Sequence, residues 1–118
     1  MTAYLTPQNH ARVKIKAKTK SRWQAIDCLI DTGFSSGLAL SESFLSLFNL
    51  SPVAEQEFEL ADGSSIFFDV FKIKTKFRNK EKEVLAVFTK SKDNILGLEF
   101  LNNLKLVLDL KEKNVSLN

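Results

Sequence analysis

One cysteine and one histidine in 118 residues leave several kinds of chemistry without their parts. A structural zinc site draws about four Cys or His ligands and an intrachain disulfide needs two cysteines, so Cys28 and His10 supply neither. A Ser-His-Asp or Cys-His arrangement would have to use His10, which lies in the polar stretch Thr6 to His10 beside Pro7, a poor place to hold a base rigidly. Cys28 stands between Asp27 and Leu29 in an apolar run and reads as a small core residue. No apolar run approaches the roughly 20 residues that span a bilayer. Met1 to His10 lack the charged start and apolar stretch of a secretory signal, so a cytoplasmic location and no membrane partner are expected. Internal repeats, linkers and low-complexity segments are also missing.

What is present is the composition of an ordinary globular domain. Lys and Arg number 17 against 14 Asp and Glu, a net charge of +3, and the hydrophobic share is 44%. Residues 11–118 are read as one domain and residues 1–10 as an N-terminal tail. Lys14, Lys16, Lys18 and Lys20 alternate with Val13, Ile15 and Ala17, which puts the lysines on one face of a strand. That is first a solvated face. A nucleic-acid surface would normally add exposed aromatics or Arg forks, and only Arg12, Arg22 and Arg78 occur, so nucleic acid is not the expected partner.

The pattern is mainly β. Arg12 to Lys18 and Trp23 to Ile30 form an opening hairpin about the polar group Thr19 to Arg22. Leu38 to Leu40 comes next, then a helix capped by Ser41, bearing Phe44, Leu45, Leu47 and Phe48 and stopped by Pro52. Ala61-Asp62-Gly63-Ser64 separates Glu57 to Leu60 from a long strand beginning at Ser65, a strong hairpin signal with an exposed tip. In that strand the apolar phase shifts from Ile66, Phe68 and Val70 to Phe71, Ile73 and Phe77, which predicts a bend near Val70 that lets one strand serve two sheets. Arg78 to Lys82 turns the chain and Glu83 to Phe88 returns. Asn94 to Gly97 precedes one or two helical turns over Leu98 to Asn103, and Leu104 to Leu110 with Asn114 to Leu117 closes the chain as a hairpin.

The residues that can carry chemistry are Asp31-Thr32-Gly33, an acid delivered at the end of an apolar strand and followed by a small hydroxyl and a glycine. Alone, the tripeptide is equally a good turn, since Asp bonds its own backbone and Gly takes positive φ. Its context adds two further motifs. Asp31-Thr32-Gly33-Phe34, then Leu60-Ala61-Asp62-Gly63-Ser64, then Ile95-Leu96-Gly97-Leu98-Glu99-Phe100-Leu101 is an order that resembles the retropepsin-like aspartic proteases of clan AA, in particular the small single-domain bacterial members. The resemblance spans roughly Val13 to Leu117.

It implies a closed β barrel with one or two short helices, active as a homodimer on a peptide or protein substrate, with no metal and no cofactor. Asp31 would be the catalytic carboxylate. Thr32 would bond across the two-fold axis to the partner loop, and the Gly33 carbonyl would accept a hydrogen bond from substrate. Phe34, Ala61, Asp62, Gly63 and Ser64 would bind substrate, the last four as a flap. Ile95, Leu96 and Gly97 would support the catalytic loop from beneath. Pairing also has a reason in chemistry: hydrolysis by carboxylates needs one group to take a proton from water and another to give one to the amide. The chain has a single Asp-Thr-Gly, so a two-fold axis would supply the second.

The sequence departs from the viral enzymes at Phe34, where they usually carry a small residue, and at the flap, whose tip has only Gly63. Phe67 and Phe68 point to opposite faces, one toward the core. The closing hairpin is open to two readings, a dimer interface or an ordinary sheet edge. A non-catalytic module that keeps the fold to bind a peptide or protein is the alternative function.

Overall fold

The structure, a computed structural model, describes residues 3–118. Strict alternation builds its first hairpin. In β2 (Ala11–Lys18) Ala11, Val13, Ile15 and Ala17 are buried while the lysines between them face solvent. β3 (Trp23–Ile30) pairs antiparallel with it, from Lys18 opposite Trp23 to Arg12 opposite Leu29. The Thr19 hydroxyl closes the connection by donating to the Arg22 carbonyl at 2.8 Å. β1 (Ala3–Leu5) adds to the other edge of β2, Ala3 opposite Val13, and buries Ala3. The segment expected as a tail therefore contributes a strand; Met1 and Thr2 lie outside the described residues.

β4 (Leu38–Ser41) is wholly apolar before Ser41 and lies deep in the core. Ser41 caps a helix, as expected, but that helix is a 3₁₀ segment, Glu42–Leu47, which gives way to extended backbone at Phe48, ahead of Pro52. The spacing of its apolar residues suits an α-helix, but little of the segment is buried. Phe48 is buried and Phe44 half-buried, whereas Leu45 and Leu47 stay exposed, so little packing sustains further turns.

β5 (Ala54–Glu59) and β6 (Ser65–Phe77) form the long hairpin, and β7 (Lys80–Thr89) returns along β6 after a turn in which Arg78 and Asn79 take φ of 51° and 64°. The bend is where the pattern placed it. β6 pairs with β5 up to Val70 and with β7 from Phe71 onward, and both residues are buried, which breaks the alternation. β8 (Asn94–Leu96), a one-turn helix α1 (Leu98–Leu101), β9 (Leu106–Asp109) and β10 (Asn114–Leu117) complete the chain.

Strands β2, β3, β8, β4, β7 and β6 are neighbours in that order, and β6 pairs back onto β2 through Lys16–Lys76 and Ala17–Thr75, which closes a six-stranded barrel. The chain is mostly β, with only two short helices among the described residues. Val13, Ile15, Ile26, Leu38, Leu40, Ile73, Val84 and Leu96 fill the barrel, and Phe100 of α1 plugs it against Phe77, ring centroids 6.3 Å apart. Each such side chain contributes about 1.5–3 kcal/mol by leaving water. The β9–β10 hairpin forms a separate two-stranded sheet that sends Val115 and Leu117 into this core and leaves Val107, Leu108 and Leu110 exposed.

Cys28 is fully buried between β2 and β8, and burial, reinforced by the charge of Asp27, pushes its thiol up to about 12. A thiol reagent applied to the folded protein at pH 8 is therefore expected to label nothing, and to label one thiol after denaturation. Rapid labelling of the native state would contradict the placement of Cys28.

Candidate active site

The loop Asp31–Gly37 joins two strands that do not touch each other. β8 runs parallel to β3, Ile30 opposite Leu96, and antiparallel to β4, Leu38 opposite Leu96, so it lies between them. The loop must arch over the end of β8, and its backbone groups find their partners there. Asp31 N–H donates to the Leu96 carbonyl at 2.9 Å, Gly97 N–H to that of Gly37 at 2.9 Å, and Leu98 N–H to that of Phe34 at 2.8 Å. Asn94 fastens both flanks, its Oδ1 accepting from Ser41 N–H at 2.9 Å and its Nδ2 donating to the Asp27 carbonyl at 3.4 Å.

Gly97 is set by contact rather than by dihedral freedom. A Cβ there would strike the Ser36 carbonyl oxygen and come within 2.5 Å of that of Phe34 and 2.6 Å of its ring. Ile95, Leu96 and Gly97 thus sit directly against the loop bearing Asp31, Thr32, Gly33 and Phe34.

Within the loop, Gly33 N–H donates to Asp31 Oδ1 at 2.8 Å and Phe34 N–H to the Asp31 carbonyl at 3.2 Å. The aspartate therefore does make the local turn that its neighbours allow. It also remains half-buried beside an exposed Thr32 and Gly33, so its carboxylate is held at a defined place and stays reachable.

The proposed flap is the β5–β6 hairpin. At its tip Gly63 takes a φ of 85°, which a side chain would strain, and Leu60 N–H donates to the Ser64 carbonyl at 2.7 Å. Asp62 Oδ1 accepts from the Ser64 hydroxyl at 2.5 Å and from its N–H at 2.9 Å, and these bonds hold the carboxyl below its ordinary range. Ala61, Asp62, Gly63 and Ser64 are all exposed, and the tip's hydrogen bonds run among its own residues. The link from hairpin to loop is apolar. Phe34 lies 6.2 Å from Phe58, which lies 5.6 Å from Phe68, centroid to centroid, over a small cluster of Ala39, Val70 and Val87. Of the Phe67–Phe68 pair, Phe68 faces this cluster and Phe67 is 60% exposed.

Three participants escaped the sequence reading. Phe58 is the aromatic contact between the hairpin and the Asp31 loop, and its signal was a lone ring among Glu55, Glu57 and Glu59. Glu99 Oε1 accepts from Leu85 N–H at 3.0 Å and ties α1 to β7 beside Gly37; an acid in the first turn after Ile95-Leu96-Gly97 marked it. Asn94, the clamp between β3 and β4, left no signal beyond being a polar residue in a buried strand. Among the described residues, no group of three or more His, Cys, Asp or Glu could hold a metal ion.

No family model matches the sequence, and no curated protein matches it. Solved structures do match the fold. A retropepsin-like aspartic protease from Rickettsia conorii superposes with a TM-score of 0.63 at 14% identity, covering 99% of this chain and 87% of that one. The protease of simian foamy virus (mac) gives a TM-score of 0.54 at 16% identity over 75% of this chain and 90% of that one.

Two substitutions test the geometry. Replacing Gly97 by Ala forces the loop off its support and is expected to cost about 1–3 kcal/mol in denaturant unfolding, with a change in the NMR shifts of residues 31–37. Ser64→Ala removes one bond to the ionised Asp62, so an NMR titration should show that carboxyl moving up toward its ordinary range; no movement would mean the tip is not ordered as described.

Proposed function

We propose that this chain, whose fold is that of the retropepsin-like aspartic proteases, is an aspartic endopeptidase that works as a homodimer. The observation that carries this reading is the placement of Asp31: a reachable carboxylate at the end of a barrel strand, on a loop whose backbone is held from beneath by Leu96, Gly97 and Leu98.

In the proposed mechanism the Asp31 carboxylates of two copies meet across a two-fold axis. Carboxylates about 3 Å apart cannot both ionise, and sharing of one proton is the behaviour for which aspartic proteases are the known example. The ionised member takes a proton from water as the water oxygen attacks the peptide carbonyl. The protonated member gives its proton to the carbonyl oxygen, forming a tetrahedral diol. The carboxyl that took the water's proton then gives it to the amide nitrogen while the other carboxylate takes a proton from a diol hydroxyl. The C–N bond breaks to an acid and an amine, and the pair again holds one proton. Thr32 is assigned to hold the partner loop across the axis and the Gly33 carbonyl to accept from substrate. Substrate lies extended between the loop and the β5–β6 hairpin, with Ala61 to Ser64 closing over it to exclude water. Phe34, packed on Phe58, forms an apolar wall beside the scissile bond and couples hairpin position to loop position.

Wild type and Asp31→Asn are compared against a broad peptide library from about pH 4 to 7.5, with new termini read by mass spectrometry. Cleavage by wild type alone is expected, with a fall of at least about 100-fold in the variant and a bell-shaped pH dependence from the shared proton. A variant that cuts at the same sites would refute the assignment. Uncut peptide held equally well by both proteins would instead identify a binding module built on the same fold.

A further inference from the structure

The lysine row of β2 is half of a larger surface. Barrel closure sets β6 against β2 with Lys16 directly opposite Lys76, and Ala17 and Thr75, next to them, both point inward. Lys14, Lys16 and Lys18 of β2 and Lys72, Lys74 and Lys76 of β6 therefore share the outer face of the barrel. Like charges placed directly opposite destabilise a sheet, so the fold carries this arrangement at a cost. The acids nearest to it are Glu81 and Glu83, opposite Lys76 and Lys74 on β7, and Asp27, opposite Lys14 on β3. Asp27 is taken by Arg12 at 2.7 Å, and the contact to Glu83 is a long one, 4.0 Å from Lys72.

An aromatic ring lies within the patch. Trp23, half-buried opposite Lys18, has Lys76 Nζ 4.4 Å and Lys18 Nζ 5.7 Å from its ring centroid. The surface is also concave in two places. A cleft of about 340 Å³ is lined by Lys14, Lys16, Lys76 and Arg78. Another of about 250 Å³ is lined by Lys18, Lys20, Lys72, Lys74 and Glu83.

We propose that this face binds single-stranded nucleic acid, with phosphates in the two cationic clefts and a base taking the place of Lys76 over the ring of Trp23. Lysines on one face of a strand recur about every 6.6–6.8 Å, a step suited to successive phosphates of an extended strand. Lysine is a point-charge phosphate ligand, and base–aromatic stacking beside a basic groove is the general means of holding single strands. A lipid surface fits less well: Leu50 at the second cleft is an exposed large apolar side chain, but others, such as Leu45, Phe67 and Leu108, line neither cleft, so this face offers much charge and few apolar anchors.

The test is anisotropy of a labelled oligothymidylate of about 20 nucleotides, followed in parallel by the fluorescence of Trp23, the chain's one tryptophan. Saturable binding at low salt is expected, with a change in tryptophan emission. If about four phosphates are neutralised, log K should fall against log salt with a slope of about −3. Lys16→Glu with Lys76→Glu is expected to weaken binding at least tenfold. The same charge change in the β7–β8 loop, Lys90→Glu with Lys92→Glu, is expected to weaken it less than threefold. Equal losses in the two variants, no saturable binding at low salt, or tighter binding to equimolar phosphatidylserine–phosphatidylcholine vesicles or to polyglutamate would each overturn the proposal.

Discussion

The insertion of β8 between β3 and β4 is the constraint on which the site depends. With β8 in place, the strands that flank the Asp31 loop have no edge to offer each other, and the loop's amides and carbonyls must be satisfied by the few residues at the end of β8 and the start of α1. A buried backbone group left without a partner costs about 1–3 kcal/mol, so the bonds Asp31 to Leu96, Gly97 to Gly37 and Leu98 to Phe34 act together or fail together. Gly97 lets them form, since the Ser36 and Phe34 carbonyls approach where a side chain would stand. Position of the loop backbone is thus set by residues some sixty positions further along the chain, and the turn bond from Gly33 N–H then orients the carboxylate.

A second layer of control is apolar. The barrel core and the cluster beneath the β5–β6 hairpin are separate groups of buried residues. Phe34 belongs to the smaller group while its own backbone belongs to the Asp31 loop. Any swing of the hairpin that moves Phe58 therefore acts on Phe34, and through the Leu98–Phe34 bond on the support of Asp31. Edge and tilted aromatic contacts of this kind are worth about 0.5–1.5 kcal/mol beyond their burial, enough to bias the position of the hairpin.

Much of this was legible in residue pattern. Alternation in Ala11 to Lys18 fixed the first hairpin's faces, Asp62-Gly63 its counterpart's tip, and the phase shift at Val70 the residue where β6 changes partner. The three motifs also indicated a closed barrel, and Asp31 to Phe34 do adjoin Ile95 to Gly97. The features that escaped share a physical cause. The bonds from Ser41 to Asn94 and from Leu85 to Glu99 join residues 53 and 14 positions apart, and pairings at such range leave no period in the sequence. β1 escaped because three residues are too few to show alternation, so only its pairing with β2 identifies it. The 3₁₀ segment escaped because its apolar residues have helical spacing, while the fold leaves Leu45 and Leu47 exposed.

Charge changes at the same bend in β6. Before Val70 the outer face of the hairpin carries Asp69 opposite Glu55, with Glu57 and Glu59 beyond it; after Phe71 the outer face carries Lys72, Lys74 and Lys76. One strand thus presents an acidic surface where it forms the hairpin and a basic one where it closes the barrel. On the proposed reading, the acidic hairpin would repel a polyanion, so phosphates bound to the barrel wall would be kept off the loop of Asp31. The change of partner that lets β6 serve both sheets thus also separates the two surfaces in sign.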